Sequence, residues 1–208
     1  MSTKHSKAAE TFLKNRSLAA WHDETLWMVR AKRDKMSKAV PEWEHLRDMA
    51  CAIKMYSNSH LDQLLVEFEK NAKANGAHVY WAKDAEEYCS IVARILEEHQ
   101  VKHFIKSKSM LAEECGLNEY LEQKGVEVVE SDLGERILQL MHKKPSHIVL
   151  PAIHVKKEEI GELFVKEMGT EPGNNDQTYL THAARKNLRR KFIEACHDRS
   201  QLCRGFHR

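Results

Sequence analysis

The stretch "FIKSKSMLAEECGLNEYLEQKGVEVVESDLGE", residues 104–135, decides the fold. Two short β-prone runs overlap it: "VKHFIK" at Val101–Lys106 reaches into its beginning, and "VEVVE" at Val126–Glu130 lies near its end. Between them, a helical pattern opens near Ser109 and closes before Gly125. A strand, a helix and a second strand in this order predict two parallel strands joined by a right-handed crossover.

The same alternation continues on both sides of this stretch. "HVYWA" at His78–Ala82 and "HIVLPA" at His147–Ala152 are also short and β-prone, and helical segments separate all four runs. We therefore expect an α/β fold with an open, mainly parallel sheet, in which at least three of the four runs pair in parallel. The helices are predicted to begin near Asp84, Ser109, Asp132, Lys156 and Asp176.

Residues 1–75 differ from the rest because they read as helix throughout, rich in Lys, Arg, Glu, Ala, Met and Leu. The sequence thus predicts three segments. Residues 1–75 form a helical leader, residues 76–195 form a partial α/β domain, and residues 196–208 form an aberrant tail. That tail, "CHDRSQLCRGFHR", has no apolar periodicity.

Composition narrows the class of protein. The chain has 208 residues, of which 42% are hydrophobic, so it can bury a core. Its 33 basic and 31 acidic residues nearly cancel at +2, which gives no reason to expect nucleic acid as a partner. No run is long enough to span a membrane, and the amino terminus lacks the apolar block of a secretory signal. We expect a cytoplasmic protein.

The cysteine pattern argues against a metal or disulfide framework. The five cysteines are scattered and form no CxxC pair, which disfavours zinc, iron–sulfur and disulfide motifs. His147 and His154 do not have a metal-binding helical spacing either. We expect no bound metal and no cofactor in this chain.

Candidate site residues follow the strand ends. In open α/β sheets, ligands bind beyond the carboxyl ends of the strands. The residues that should face this rim are Lys106, Ser107, Lys108, Ser109, Glu130, Asp132, Glu135 and His154.

Two kinds of chemistry fit these residues. Lys106, Lys108 and the helix start at Ser109 suit a phosphate or carboxylate anion. His154 could act as an acid or base beside the carboxylate of Glu130 or Asp132.

A structural interpretation stays open for the same positions. Ser109 and Asp132 stand where helices need N-caps, and the two lysines could simply be solvated. No GxGxxG, GxxxxGK[ST], GxSxG or HExxH motif occurs in the chain.

Four stretches together resemble a known family: "GAHVYWAKDAEE", "KSKSMLAEECGLNEYLEQKGVEVVESDLGERILQL", "PSHIVLPAIHVKKEEIGELF" and "RRKFIEA". From about Phe12 to Ala195 the chain is similar, in collinear order, to the amino-terminal domain of the lactate utilization protein B family. These are iron–sulfur oxidoreductase subunits with a lactate-utilization domain. The resemblance implies a fold like that of sugar-phosphate isomerases and coenzyme A transferases. It also implies two partner subunits, and oxidation of L-lactate to pyruvate through two [4Fe–4S] clusters.

The chain departs from the family pattern after residue 195. A Gly-rich segment, further strands and the ferredoxin-type cysteine runs of the family are missing, and Cys196 and Cys203 are too far apart for a CxxC clip. We therefore expect a domain that is incomplete at its C-terminus, in a cofactor-free fragment of an electron-transfer subunit that acts through partner contacts. The alternative is a free-standing isomerase- or transferase-like enzyme that uses Lys108, His154 and either Glu130 or Asp132.

Overall fold

The computed structural model describes the backbone of residues 2–197 and the side chains of residues 5–195. The chain forms two compact units, Met1–Trp81 and Ala82–Arg208, which are described separately. The elements are α1 (Ser2–Lys14), α2 (Arg16–Lys38), α3 (Trp43–Ser59), α4 (Leu61–Ala74), α5 (Ala85–Glu98), β1 (His103–Lys106), α6 (Met110–Glu114), α7 (Leu117–Glu122), β2 (Glu127–Glu130), α8 (Leu133–Met141), α9 (Lys157–Met168) and α10 (Gln177–His197).

The first unit contains only helices among its described residues, α1 to α4, as its helix-favouring composition predicts. Its side chains are mostly exposed. α3 and α4 contain no buried residue, and Met55 and Val66 keep 68% and 69% of their surface exposed. Most of the described core therefore lies in the second unit.

The second unit is built on the ladder of β1 and β2, which pair in parallel. The register places His103 opposite Glu127 and Lys106 opposite Glu130. One buried apolar cluster joins α5, α6, α7 and β2, and a second joins α8, α9 and α10 around Phe164. The parallel pairing confirms an α/β unit, whereas the finer fold resemblance stays a prediction.

Local capping signals correctly place most helix starts. The N-cap Asp84 accepts the backbone N–H of Glu87 at 2.9 Å at the start of α5, and Glu87 accepts the backbone N–H of the preceding Lys83 at 2.8 Å. The helix expected between Ser109 and Gly125 is instead two helices. Gly116, with φ of 69°, adopts the left-handed conformation that ends α6 before α7 begins.

The strand predicted at His78–Ala82 is wrong, because these residues form no strand. Tyr80 and Trp81 keep 47% and 52% of their surface exposed. A β-prone run becomes a strand only when a partner accepts its backbone hydrogen bonds and its side chains pack on a neighbour. This run has a β-prone composition but does not pair with a strand in the described part of the chain.

The strand predicted at His147–Ala152 is also wrong, because these residues form turns and bends. His147 Nδ1 accepts the backbone N–H groups of Val149 at 3.1 Å and Leu150 at 3.0 Å, which closes a local turn. Pro151 has no N–H to give to a ladder. The described sheet therefore has two strands, and the expectation of three parallel runs fails.

Gln139 of α8 occupies the free edge of β2. Its Nε2 donates to the carbonyl of Val128 at 2.8 Å, and its Oε1 accepts the N–H of Glu130 at 3.2 Å. These are the backbone groups that a further parallel strand would need. A side-chain amide thus substitutes for the expected neighbour on this side of the ladder.

The tail predicted at residues 196–208 lies outside the described side chains. Within residues 2–197, none of the helices has the length and apolar character that a bilayer crossing needs.

Candidate functional site

The carboxyl ends of the two strands carry a buried ion pair. Lys106 and Glu130 are the last residues of β1 and β2 and lie opposite each other in the register. Lys106 Nζ is 2.5 Å from Glu130 Oε1, and the two side chains are only 6% and 3% exposed. Lys106 Nζ makes no hydrogen bond of regular geometry to the described residues, so this ion pair is its close polar contact.

Side chains from the neighbouring helices complete the surroundings of Glu130. Asn118, in the first turn of α7, donates to Glu130 Oε1 at 2.8 Å. Glu135 of α8 is 4% exposed and lies close enough to the same carboxylate for the charge of Glu130 to act on it. Glu113 of α6 also lies close enough for the charge of Glu130 to act on it. We call Lys106, Glu113, Asn118, Glu130 and Glu135 the carboxyl-edge cluster.

Electrostatics inside the cluster favour a proton on Glu135. Burial, and then the nearby charge of Glu130, raise the pKa of Glu135 to about 7, against the smaller opposing effect of Lys106 and Lys108. Burial and the charge of Glu130 also raise the pKa of Glu113. A carboxyl group that titrates near neutral pH can take up or release a proton under physiological conditions.

Lys108 reaches the same edge from the loop after β1. Its Nζ donates to the carbonyl of Val149 at 3.0 Å and lies 4.0 Å from Asp132 Oδ1. About a third of the side chain of Lys108 is exposed. Its amino group is thus held at the rim between a loop carbonyl and a carboxylate, and its predicted role in anion binding stays a prediction.

Ser109 and Asp132 are the N-caps of α6 and α8, as the structural interpretation of these residues predicts. Ser109 Oγ accepts the N–H of Ala112 at 3.3 Å, and Asp132 Oδ1 accepts the N–H of Glu135 at 3.1 Å. These contacts account for both side chains through local structure. Ser107, between the two lysines, is exposed.

His154 lies in the loop between α8 and α9 rather than at the end of a strand. Its Nδ1 is 2.6 Å from Ser146 Oγ, and the Ser146 hydroxyl is 3.3 Å from the carbonyl of Pro151. These two hydrogen bonds stabilise the loop in which His154 lies. The structure does not bring it into contact with Glu130 or Asp132 through any of these bonds.

Sequence reasoning missed Glu113 and Asn118. Both precede β2 in the chain and reach the carboxyl edge from α6 and α7. The sequence indicates only where these residues lie on their helices. Glu113 is four residues after the N-cap Ser109, and Asn118 is two residues after the N-cap Gly116. These positions identify faces of short helices, but the sequence alone does not say which face meets the sheet.

An open cleft of about 490 Å³ lies beside the cluster. Asn118, Lys143 and Lys144 line this cleft together with six glutamates: Glu113, Glu114, Glu119, Glu122, Glu130 and Glu135. Among the described side chains of residues 5–195, no group of three or more His, Cys, Asp and Glu side chains is arranged to hold a metal ion. The arrangement can bind a polar small molecule and exchange a proton with it.

A second pair of polar side chains lies at the opposite end of the same ladder. His103 Nδ1 is 2.7 Å from Glu127 Oε2, and Lys191 of α10 donates to Glu127 Oε1 at 2.8 Å. The hydrogen bond from Lys191 is the main cause that lowers the pKa of Glu127. His103 and Glu127 are 38% and 41% exposed.

Comparison with known proteins gives a family match over most of the second unit. The family model described as the LUD domain matches residues 65–196. This range contains every residue of the carboxyl-edge cluster. No solved structure matches the chain.

Curated relatives extend the match. The chain is 40% identical over 165 residues to lactate utilization protein B of Bacillus pumilus (strain SAFR-032), which covers 79% of this chain and 35% of the relative. It is 39% identical over 164 residues to the proteins of the same name from Bacillus thuringiensis (strain Al Hakam) and Bacillus cereus (strain B4264), with 78% and 34% covered. The chain spans about a third of the length of these relatives.

Proposed function

Because the chain belongs to the LUD-domain family, we propose that it takes part in the utilization of L-lactate, as part of a subunit like lactate utilization protein B. The observation that carries this proposal is the 40% identity to lactate utilization protein B over 165 residues. The matched family range also includes the buried ion pair and the acidic side chains beside the cleft.

The resemblance extends the proposal to the reaction. In it, this chain works with partner subunits in the cytoplasm, and the complex oxidises L-lactate to pyruvate and passes the electrons through [4Fe–4S] clusters. A [4Fe–4S] cluster is generally held by four cysteine thiolates, whereas the described side chains 5–195 include Cys51, Cys89 and Cys115 alone. These residues do not fit a cluster, so in the proposal the clusters belong to other parts of the assembly.

Growth of the source organism tests the proposal. A strain with the gene disrupted should fail to grow on L-lactate as the sole carbon source and should grow normally on pyruvate. A plasmid copy of the gene should restore growth on L-lactate. Equal growth of the disrupted and parent strains on both carbon sources would overturn the proposal.

One observation favours a second candidate, a small-molecule enzyme of the isomerase or transferase type. Glu135 lines a cleft and has a pKa raised to about 7, mainly by burial, which suits a general acid or base. In this second proposal, Glu135 takes the acid–base role, with Glu130 and Lys106 holding it in place. Lys108, with or without His154, would meet a small carboxylate or phosphate.

Complementation with a near-isosteric variant separates the two candidates. Glu135→Gln keeps the shape of the side chain and removes its ability to transfer a proton. If the chain acts through subunit contacts, this variant restores growth on L-lactate as well as the wild type does. If acid–base chemistry is required, it fails while the exposed control Glu122→Gln succeeds at equal protein abundance.

A further inference from the structure

Another open cleft, of about 690 Å³, is lined by the end of α9 and one face of α10. Its lining includes three basic side chains of α10, His182, Lys186 and Arg190, and none of the described residues that line it is acidic. Residues four apart lie on the same face of a helix, so these side chains follow one another along α10 at steps of about 6 Å. Among the described residues, this cleft shares no lining residue with the cleft beside the carboxyl-edge cluster.

Two residues that line this cleft carry buried polar atoms without partners. Thr170, which follows the C-cap Gly169 of α9, is 9% exposed, and its Oγ1 forms no hydrogen bond with the described residues. Asn187 Oδ1 on α10 is also buried and has no hydrogen-bond partner in the described part of the chain. A buried hydroxyl or carbonyl oxygen without a partner costs about 1–3 kcal/mol. A ligand that supplies the missing partners would recover this cost.

The positive charge of this cleft is only partly offset within the fold. Arg190 Nε lies 3.7 Å from Glu194 Oε1, and Arg190 also lines a neighbouring cleft together with two glutamates. None of the described carboxylates forms an ion pair with Lys186. The carboxyl end of α9, at Met168, contributes about half a negative charge. The charge of Lys186 is therefore available to an anion.

The charges and the unpartnered atoms together select the type of anion. A phosphate monoester carries a charge of about −1.5 to −2 at neutral pH and three strong acceptor oxygens. It can therefore accept hydrogen bonds from an ammonium group and a hydroxyl at once, whereas a carboxylate offers a single charge and two oxygens. Asn187 Oδ1 needs a donor instead, which a hydroxyl group on the same ligand would supply.

We propose that the cleft between α9 and α10 binds a small phosphate monoester that also carries a hydroxyl group. Its phosphate accepts hydrogen bonds from Lys186 and from the Thr170 hydroxyl, and its hydroxyl donates to Asn187 Oδ1. His182 and Arg190 extend the positive surface on either side of Lys186 along α10. The site goes beyond a role in lactate utilization, because lactate carries a carboxylate and no phosphate.

Calorimetric titration of the full chain at pH 7.5 and constant ionic strength tests the inference with four probes. Glycerol 1-phosphate carries a phosphate and hydroxyl groups, inorganic phosphate lacks the carbon-bound hydroxyls, glycerol lacks the phosphate, and L-lactate has a carboxylate in its place. We expect glycerol 1-phosphate to bind at about millimolar Kd. It should bind about three- to tenfold more tightly than inorganic phosphate, which lacks one hydrogen bond, and at least tenfold more tightly than L-lactate or glycerol.

Two substitutions locate the binding. Lys186→Met should weaken binding of glycerol 1-phosphate at least tenfold, whereas Lys157→Met, the same change at an exposed lysine at the opposite end of α9, should leave it within twofold.

Thr170→Val keeps the shape of the side chain and removes its hydroxyl. It should weaken binding about three- to tenfold without lowering the urea midpoint of the ligand-free protein, because the hydroxyl has no partner to lose among the described residues. A lower midpoint would overturn the inference, since it would assign the hydroxyl to the fold. Failure of both phosphate probes to bind, L-lactate binding as tightly as glycerol 1-phosphate, or unchanged binding in Lys186→Met would overturn it as well.

Discussion

Two pairs of polar side chains on the same two strands differ strongly in their burial. His103–Glu127 and Lys106–Glu130 are both register partners, three residues apart along the ladder and on opposite faces of it. The first pair is 38% and 41% exposed, and the second is 6% and 3% exposed. An exposed pair exchanges hydration for a weak contact, whereas each member of a buried pair depends on the other to offset lost hydration. Burial therefore decides what each pair does for the fold.

The largest expected effect comes from breaking the buried pair. Lys106→Met should lower the free energy of unfolding by about 3–5 kcal/mol, because Glu130 is left charged and buried beside Glu135. Urea denaturation at pH 7.5 measures this loss. The double variant Lys106→Met with Glu130→Leu should recover most of it, since it leaves no unpaired charge from the pair. A loss below about 1 kcal/mol in the single variant would show that the two pairs are equivalent.

The second effect is a pH dependence that belongs to the buried end alone. The folded state keeps a proton on Glu135 up to about pH 7, while the unfolded chain loses it near the ordinary pKa of 4.5. The folded state thus binds more protons in this interval, so its stability is full below pH 4.5 and falls as pH rises to 7. The shift corresponds to about 3 kcal/mol.

Glu135→Gln should remove this part of the pH dependence. Its amide is neutral at every pH and can donate to Glu130 as the protonated acid does. The variant should gain stability relative to the wild type as pH rises from 5 to 8, measured by urea denaturation at each pH. Glu122→Gln serves as the exposed control and should follow the wild-type curve. Parallel curves for all three proteins would contradict the raised pKa of Glu135.

Intermediate effects are expected at the edge of the ladder. Gln139→Leu removes the partners of the Val128 carbonyl and the Glu130 N–H, so stability should fall by about 1–3 kcal/mol. The same substitution at exposed Gln123 should change stability by less than about 0.5 kcal/mol. Equal effects of the two substitutions in urea denaturation would show that the amide contacts contribute nothing to the fold.

The smallest effect is expected at the exposed pair. Glu127→Gln should cost less than about 1 kcal/mol, because water and salt screen its contacts with His103 and Lys191. The loss should shrink further when the ionic strength rises, whereas the loss in Lys106→Met should change little. A loss at Glu127 as large as that at Lys106 would remove the contrast between the two ends.

The parts of the structure that sequence reasoning predicted are those with local causes. Asp84, Ser109 and Asp132 each cap a helix through a contact with the third residue after them, so the signal and its effect lie within one helical turn. The pairing of β1 with β2 was predictable because one short crossover joins them.

The remaining features depend on distant partners. Whether His147–Ala152 becomes a strand depends on a free strand edge to pair with, and Gln139 occupies the outer edge of β2. The candidate site shows the same division. Lys106 and Glu130 were predictable because they stand at the strand ends. Glu113 and Asn118 join them through the packing of two short helices, which the sequence does not specify. The expected contact of His154 with a carboxylate depends on the conformation of a loop, in which His154 instead contacts Ser146.

The amide of Gln139 also governs how this molecule can meet another chain. It closes the β2 edge with one removable side chain rather than with a covalent or bulky barrier. A foreign extended segment would have to displace two hydrogen bonds to dock there, and it would replace them with bonds of the same kind. Rotation of this glutamine, which Arg136 also holds by a hydrogen bond to its Oε1 at 2.6 Å, would leave the Val128 carbonyl and the Glu130 N–H open to an extended segment of another chain.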